Sequence, residues 1–167
     1  MITFRPASIV DLRLLKHWDR QPHVIAANPN DDWEWEKELK YSPGWREQLI
    51  AELNGRPVGF IQIIDPAREE SRYWGDIGHG YRAIDIWIGE ENDLGKGYGT
   101  EMMKLAIDRC FSAPDVHTIL IDPLASNKLA HRFYERFGFR FLESRFFEKD
   151  NCYVYKLDCK EWQESAR

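Results

Sequence analysis

Residues 94–100 read Leu94-Gly95-Lys96-Gly97-Tyr98-Gly99-Thr100. Three glycines at alternate positions follow an apolar strand and lead directly into an amphipathic helix. Because glycine has no Cβ, the backbone can turn sharply there and its N–H groups can approach a ligand closely. The first N–H groups of a helix have no intrahelical acceptor and carry partial positive charge, which suits phosphate. The stretch therefore predicts a phosphate-binding loop, with a tight strand–helix connection that binds nothing as the alternative.

The spacing of these glycines excludes two common nucleotide-binding motifs. It matches neither Gly-x-Gly-x-x-Gly, which binds dinucleotides, nor Gly-x-x-x-x-Gly-Lys-Ser/Thr, the P-loop. The helix that follows has apolar residues at helical spacing, which indicates a face packed on the core. These residues are Met102, Met103, Ala106, Ile107, Cys110 and Phe111.

Composition limits the class of protein. A chain of 167 residues is long enough for one domain with a proper core, so we expect a single domain over residues 1–167. A net charge of −5 argues against nucleic acid as the main partner and permits a cationic substrate. No apolar run approaches membrane-spanning length and no signal-peptide pattern is present, so we expect a cytoplasmic protein without a membrane partner. Cys110, Cys152 and Cys159 are odd in number and lack metal-ligand spacing, which predicts neither disulfides nor a metal site.

The first third of the chain alternates between regular and irregular segments. Ser8-Ile9-Val10-Asp11 has the pattern of a capping box and predicts a helix that runs to about Trp18. Residues 20–46 are expected to be irregular, with one short helix near residues 32–40. Apolar runs on both sides of Asn54-Gly55-Arg56-Pro57 predict an antiparallel hairpin.

The remaining elements complete a mixed α/β fold in the order β–α–α–β–β–β–α–β–α–β–β. Residues 84–88 alternate as a strand, and the nearly all-apolar residues 117–121 predict a central strand covered on both faces. A helix then begins near Ser126, and two final strands follow around residues 139–147 and 152–158. The predicted buried face of that helix comprises Leu129, Ala130, Phe133 and Phe137.

Two motifs in this order resemble the GCN5-related N-acetyltransferase (GNAT) superfamily. Gly95-x-Gly97-x-Gly99 is similar to its pyrophosphate loop, although Leu94 stands where the family usually has Gln or Arg. Asn127-x-x-Ala130-x-x-x-Tyr134-x-x-x-Gly138-Phe139 is similar to its second motif, a helix whose Asn and Tyr lie near the thiol of coenzyme A. The resemblance implies a mixed sheet with a splayed slot for acetyl-CoA as cosubstrate, flanked by helices. The contacts it implies come from Ile86, Trp87, Ile88, Leu94, Gly95, Lys96, Gly97, Tyr98, Gly99, Thr100 and Asn127.

A narrower resemblance runs from about Trp45 to Asp158. Residues 84–92, the glycine loop and residues 121–123 look like the aminoglycoside 6′-N-acetyltransferases, whereas siderophore-type acyltransferases have His where this chain has Asp85. The resemblance implies acetyl transfer to a primary amine of a small polycationic substrate, the 6′-amine of an aminoglycoside, and hence antibiotic resistance. The alternatives are an acyltransferase on a siderophore precursor, a polyamine or a protein N-terminus, and a non-catalytic module that binds coenzyme A. The edge strands expected near the C-terminus make a homodimer possible.

Asp85 and Tyr134 are the candidate catalytic residues. Asp85 would hold the substrate ammonium and help to accept its proton. Because a carboxylate of ordinary pKa is a weak base for an amine, orientation, desolvation and a charge partner must contribute. Tyr134 is the candidate general acid for the thiolate that leaves. The alternative for Asp85 is a solvent-facing position on an alternating strand, and for Tyr134 it is packing beside Phe133.

Other candidate contacts have equally plain alternatives. Asp122 would join Asp85 as a second carboxylate for a polyamine, or it caps the end of a strand. Trp87 would pack against the acceptor, or it fills the core. Asn127 would bind the pantetheine amide, or it caps a helix. A wall that attracts cations, or else a helix with a buried Trp face, would be formed by Trp33 and Trp35 with Asp31, Asp32, Glu34 and Glu36.

Overall fold

The structure is a computed structural model, and it describes residues 1–165. The strands are β1 (Ile2–Pro6), β2 (Arg46–Leu53), β3 (Arg56–Ile64), β4 (Tyr81–Ile88), β5 (Thr118–Ile121), β6 (Arg140–Phe147) and β7 (Asp150–Asp158). The α-helices are α1 (Leu12–Asp19), α2 (Pro22–Ala27), α3 (Trp35–Glu38), α4 (Tyr98–Phe111), α5 (Lys128–Arg136) and α6 (Cys159–Ser165). Single 3-10 turns at Ile9–Asp11 and Glu91–Asp93 precede α1 and the glycine loop.

All seven strands form one mixed sheet in the order β1-β2-β3-β4-β5-β7-β6, so the predicted mixed α/β fold is confirmed. β4 and β5 are parallel, whereas β1 with β2, β5 with β7 and β6 with β7 are antiparallel. The register between β4 and β5 begins at the pair Tyr81↔Thr118 and ends at Ala83↔Leu120. β4 itself extends to Ile88.

The chain divides into two units, and the division falls within β3, β4 and α4. The first unit comprises Met1–Ile63 and Asp85–Ala106. Its largest aromatic side chains come from neighbouring elements and are almost fully buried, so the core stabilises the unit mainly by removing apolar surface from water. This core contains Leu15, Trp18, Val24, Trp35, Ile50, Phe60 and Trp87.

The second unit comprises Ile64–Ile84 and the chain from Ile107 onward. All four residues of β5 are buried, as expected for a strand of continuous apolar sequence. The predicted buried face of α5 is wrong at Leu129, whose side chain is 74% exposed. His131 is buried instead, because its ring stacks on Tyr153 and its Nε2 lies 2.9 Å from the carbonyl oxygen of Leu124.

Local sequence signals explain most helix starts. The capping box is present, since the Ser8 N–H donates to Oδ2 of Asp11 at 2.9 Å. The prediction that residues 20–46 are irregular misses α2. This helix begins with Pro22 at its first position, where the backbone N–H that proline lacks would have no partner within the helix. The short helix expected near residues 32–40 is the four-residue α3, and α6 was not predicted. No helix within residues 1–165 is both long and apolar enough to cross a membrane.

Candidate active site

The glycine loop forms an open cradle of backbone at the start of α4. Gly95 and Gly97 have φ of +74° and +82°, a region that L side chains rarely adopt. A Cβ added at either glycine would meet no atom within 4 Å, so the space in front of this backbone is open. Regular helical bonding begins with the Glu101 N–H, which donates to the Gly97 carbonyl at 3.2 Å. By helix geometry, the N–H groups just before Glu101 lack intrahelical acceptors, and this arrangement fits a diphosphate.

A buried carboxylate anchors the entry to this loop. Asp93 has a side chain that is 5% exposed, and Arg56 donates to its two oxygens at 2.9 and 3.2 Å. The Lys96 ammonium lies 3.9 Å from the same carboxylate. Asp93 thus holds two cations beside a loop suited to phosphate. Sequence reasoning missed Arg56, because its place after Asn54-Gly55 was read only as turn chemistry.

Asp85 lies on β4 and is half-buried. Burial raises the pKa of its carboxyl from 3.8 to about 6, the hydrogen bond from Gln62 opposes that rise, and the negative charge of Asp31 adds to it. Nε2 of Gln62 donates to Oδ2 of Asp85 at 3.0 Å. A carboxyl group with this pKa is ionised at neutral pH and is a stronger base than an exposed aspartate.

An aromatic cluster lies on the same face of β4, because Trp87 follows Asp85 by two residues. The rings of Phe60 and Trp87 are 4.6 Å apart, and Trp33 lies 5.2 Å from Trp87 and stacks on Trp35. Trp35 and Trp87 are buried, whereas Trp33 is half-buried. Trp35 and Trp87 therefore pack in the core, which was the alternative to a contact with the substrate. The acids expected beside them are exposed, namely Asp31, Asp32, Glu34 and Glu36.

The last residues of β4 differ in whether their backbone groups have hydrogen-bond partners within the chain. Nε2 of His23 lies 2.7 Å from the carbonyl oxygen of Ile88, and because a carbonyl only accepts, Nε2 is the protonated nitrogen. The Ile88 carbonyl thus already has one partner within the chain. Ile86 and Trp87 precede it in β4, beyond the residues of that strand that pair with β5.

In the second unit, Asp122 directly follows β5. The Tyr73 hydroxyl donates to Oδ2 of Asp122 at 2.5 Å, and the Tyr73 ring stacks on Phe147 with 4.4 Å between centroids. Tyr73 lies between β3 and β4 and was not among the predicted site residues. The adjacent aromatics Tyr73 and Trp74 in a polar stretch were the available signal, since aromatic residues are disfavoured in plain solvent loops.

The start of α5 holds the two remaining candidates. Oδ1 of Asn127 accepts from the Ala130 N–H at 3.2 Å, so the capping alternative is observed. Tyr134 is half-buried, with its ring 5.3 Å from Phe133 and 5.8 Å from Phe139. The cap uses only Oδ1 of Asn127. The amide nitrogen takes no part in the cap, so Asn127 could cap the helix and also bind the pantetheine amide.

The sequence of this chain matches a known protein family. Residues 9–146 match the model of the acetyltransferase (GNAT) domain. The chain belongs to the GNAT acetyltransferase family. It is an N-acetyltransferase with acetyl-CoA as its acetyl donor, and its sheet has the GNAT fold.

This GNAT acetyltransferase is similar to three proteins whose names specify an aminoglycoside activity or resistance. The aminoglycoside N(6')-acetyltransferase type 1 of Klebsiella pneumoniae is 29% identical over 153 residues, which are 83% of this chain and 73% of the relative. The kanamycin resistance protein of Rhizobium radiobacter is 38% identical over 72 residues, 42% of this chain and 67% of the relative. The crystal structure of aminoglycoside acetyltransferase AAC(6')-Ib with coenzyme A and kanamycin superposes over 100% of both chains, with a TM-score of 0.88 and 25% identity.

Two observations describe the ionisable residues of this GNAT acetyltransferase. Within residues 1–165, no group of three or more His, Cys, Asp or Glu side chains could hold a metal ion. The carboxyl group of Asp85 has a pKa that burial raises to about 6. Perturbed carboxyl groups are enriched at functional sites, so Asp85 is the first candidate for handling the amine.

Proposed function

We propose that this enzyme acetylates a primary amine of a polycationic amino sugar, the 6′-amine of an aminoglycoside. The observation that carries the proposal is the Asp85 carboxyl, half-buried on β4 with its pKa raised to about 6. Such a group is anionic at neutral pH and can both bind an ammonium and share its proton. The relatives named above supply the acceptor class, since their names specify aminoglycosides or kanamycin.

The donor end of the reaction is assigned to the glycine loop and the end of β4. Backbone N–H groups of residues 95–100 would hold the pyrophosphate, with Lys96 and Arg56 adding positive charge. Pantetheine would lie along Ile86, Trp87 and Ile88 as an added strand, because β4 continues past its pairing with β5. Asn127 would donate from its amide nitrogen to the pantetheine amide, while its oxygen remains in the helix cap.

The transfer itself requires three proton movements. The ammonium of the acceptor loses a proton toward Asp85, directly or through water, and the resulting amine attacks the thioester carbonyl. A C–N bond forms, the C–S bond breaks, and the nitrogen gives up a second proton to water, which leaves a neutral amide. Tyr134 donates its hydroxyl proton to the departing thiolate sulfur, and solvent restores both groups.

A polycation also needs anionic contacts away from the reacting nitrogen. Asp122, oriented by Tyr73, is proposed as such a contact, and the exposed carboxylate of Asp31 is a further source of negative charge. Trp87 would contribute packing rather than a polar contact, because it is only 8% exposed. The net charge of −5 favours the approach of a cationic substrate.

The test is release of free thiol from acetyl-CoA in the presence of defined amines. Kanamycin and tobramycin should support turnover, and matched aminoglycosides with a 6′-hydroxyl should not. Release with 6′-amines alone supports both the substrate class and the position of transfer. If every aminoglycoside is inert while a polyamine or a siderophore precursor is acetylated, the aminoglycoside proposal is wrong and the alternative acceptor replaces it.

A further inference from the structure

One face of the sheet holds two neighbouring rows of side chains across β2, β3 and β4. The polar row, with one residue from each strand, comprises Gln48, Gln62 and Asp85. The apolar row comprises Ile50, Phe60 and Trp87, each two residues farther along or back in its strand. Because side chains two residues apart share a face of a strand, the two rows lie side by side.

The polar row is a directed chain of hydrogen bonds. Nε2 of Gln48 donates to Oε1 of Gln62 at 3.0 Å, and Nε2 of Gln62 donates to Oδ2 of Asp85 at 3.0 Å. An ionised carboxylate only accepts, so the Gln62 amide must turn its NH₂ toward Asp85. Its oxygen then faces Gln48, which can satisfy it only by donating. Gln48 therefore holds the Gln62 amide in the orientation that the Asp85 carboxylate requires.

Burial of Gln62 makes this row of hydrogen bonds costly to break. Gln62 is 9% exposed, so rotating its amide would leave a buried polar group without a matched partner. In the apolar row beside it, Ile50 and Phe60 have no donor or acceptor in their side chains, and the buried Nε1–H of Trp87 has no hydrogen-bond partner within residues 1–165. The observed arrangement gives the ionised Asp85 carboxylate a donor and gives the buried Gln62 amide a partner at both ends.

We propose that Gln62, held by Gln48, is a positioning residue that occupies Oδ2 of Asp85 and leaves Oδ1 to meet the acceptor amine. The inference rests on the proposed function of Asp85. It adds that Gln48, two strands away, supports the direction of the carboxylate, and so the place of the ammonium, through its hydrogen bond to Gln62. Asp31 is the charged group that acts on Asp85, and its negative charge works against ionisation.

The hydrogen bond from Gln62 affects the pKa of Asp85. The Gln62 hydrogen bond lowers the pKa of Asp85 and so counteracts the effect of burial. Replacing Gln62 with Leu removes the donor and keeps the side chain's size. The pKa of Asp85 should then rise by about one unit, as expected for loss of a hydrogen bond to a charged group. Gln48→Glu should act in the same direction without touching Asp85, because the new carboxylate attracts the Gln62 NH₂ and turns its oxygen toward Asp85.

The experiment measures this pKa directly and separately from turnover. The side-chain carboxyl of Asp85 is titrated by ¹³C NMR, with its signal assigned by its loss in Asp85→Asn, and the pH profile of kcat/KM is recorded alongside. Gln62→Leu and Gln48→Glu should move both the NMR titration and the acidic limb of the profile upward by about one unit. Gln163→Leu, an exposed change of the same type in α6, is the matched control and should move neither.

The outcomes separate the two proposals. An unshifted Asp85 titration in both Gln62→Leu and Gln48→Glu overturns the positioning role, even if Asp85→Asn is inactive. Full turnover by Asp85→Asn overturns the proposed function of Asp85, whatever the titrations show. If Gln62→Leu does not fold, Gln62→Met replaces it, because methionine keeps the length of the side chain, removes the donor and adds no charge. Gln48→Glu alone does not decide the question, since its own negative charge also raises the pKa of Asp85. A purely structural role would lower stability without moving the pKa.

Discussion

The hydroxyl of Tyr73 donates a hydrogen bond to the carboxylate of Asp122, with 2.5 Å between the two oxygens. Tyr73 belongs to the connection between β3 and β4, and Asp122 follows β5 directly. The Tyr73 ring is fixed by stacking on Phe147, at 4.4 Å and an interplanar angle of 8°. The connection therefore supplies an aromatic residue that stacks on Phe147 and donates a hydrogen bond to one carboxylate.

Tyr73→Phe should raise KM for a polycationic acceptor by about tenfold and leave kcat nearly unchanged. The variant keeps the ring that stacks on Phe147 and removes the hydroxyl that donates to Asp122. Steady-state kinetics with kanamycin measure the effect, and calorimetry with coenzyme A provides the control, since donor affinity should not change. A large fall in kcat with constant KM would show that Tyr73 acts on the chemical step instead.

Asp85→Asn should make the protein more stable above pH 6 while it removes most turnover. The folded pKa of about 6 exceeds the ordinary value of 3.8, so the folded state binds this proton more tightly than the unfolded state does. Ionisation of Asp85 therefore lowers stability as pH rises from about 4 to 6, by up to about 3 kcal/mol. The neutral amide avoids that cost and can still accept from Gln62.

Urea unfolding of both proteins at a series of pH values checks this sign. The stability advantage of Asp85→Asn should be full near pH 7.5, shrink as the pH falls through 6 and disappear below about pH 4. In the wild-type enzyme, kcat/KM should fall below about pH 6 as Asp85 becomes protonated. An Asp85→Asn variant that is less stable at pH 7.5 would contradict the raised pKa.

The strands along the chain and the glycine loop could be predicted because their signals are local. Alternation on β4, the continuous apolar sequence of β5 and the Asn54-Gly55 turn each reflect a rule of backbone geometry. Both turn residues indeed have positive φ, +51° and +87°. The family resemblance then supplied the donor, because the glycine spacing and the motif from Asn127 to Phe139 occur in the family's order.

The parts that could not be predicted depend on contacts between residues distant in sequence. Arg56 meets Asp93 across 37 positions, and Tyr73 meets Asp122 across 49. Leu129 was wrongly placed in the core because periodicity gives the apolar face of a helix and not the extent to which the sheet covers it. The raised pKa of Asp85 also lay beyond sequence reasoning, since it depends on burial and on Gln62.

Tyr134→Phe should lower kcat by about 100-fold and leave the affinity for acetyl-CoA unchanged. The ring contacts with Phe133 and Phe139 remain, so the variant removes only the hydroxyl proposed to protonate the thiolate. Thiol release at saturating substrates measures the loss, and the unfolding midpoint confirms that packing is intact. Wild-type kcat in a folded Tyr134→Phe would assign the proton to another donor, such as water.

Gly97→Val should abolish acetyl-CoA binding without unfolding the protein. Gly97 and Gly55 form a matched pair, because their φ angles are +82° and +87° and a Cβ at either would meet no atom within 4 Å. Valine at each position should therefore impose a similar backbone strain, about 1–3 kcal/mol. Only Gly97→Val would also place a side chain in front of the N–H groups proposed to hold the pyrophosphate. Isothermal titration calorimetry should show loss of binding in Gly97→Val and near wild-type affinity in Gly55→Val, and equal affinities in the two variants would remove the glycine loop from the donor site.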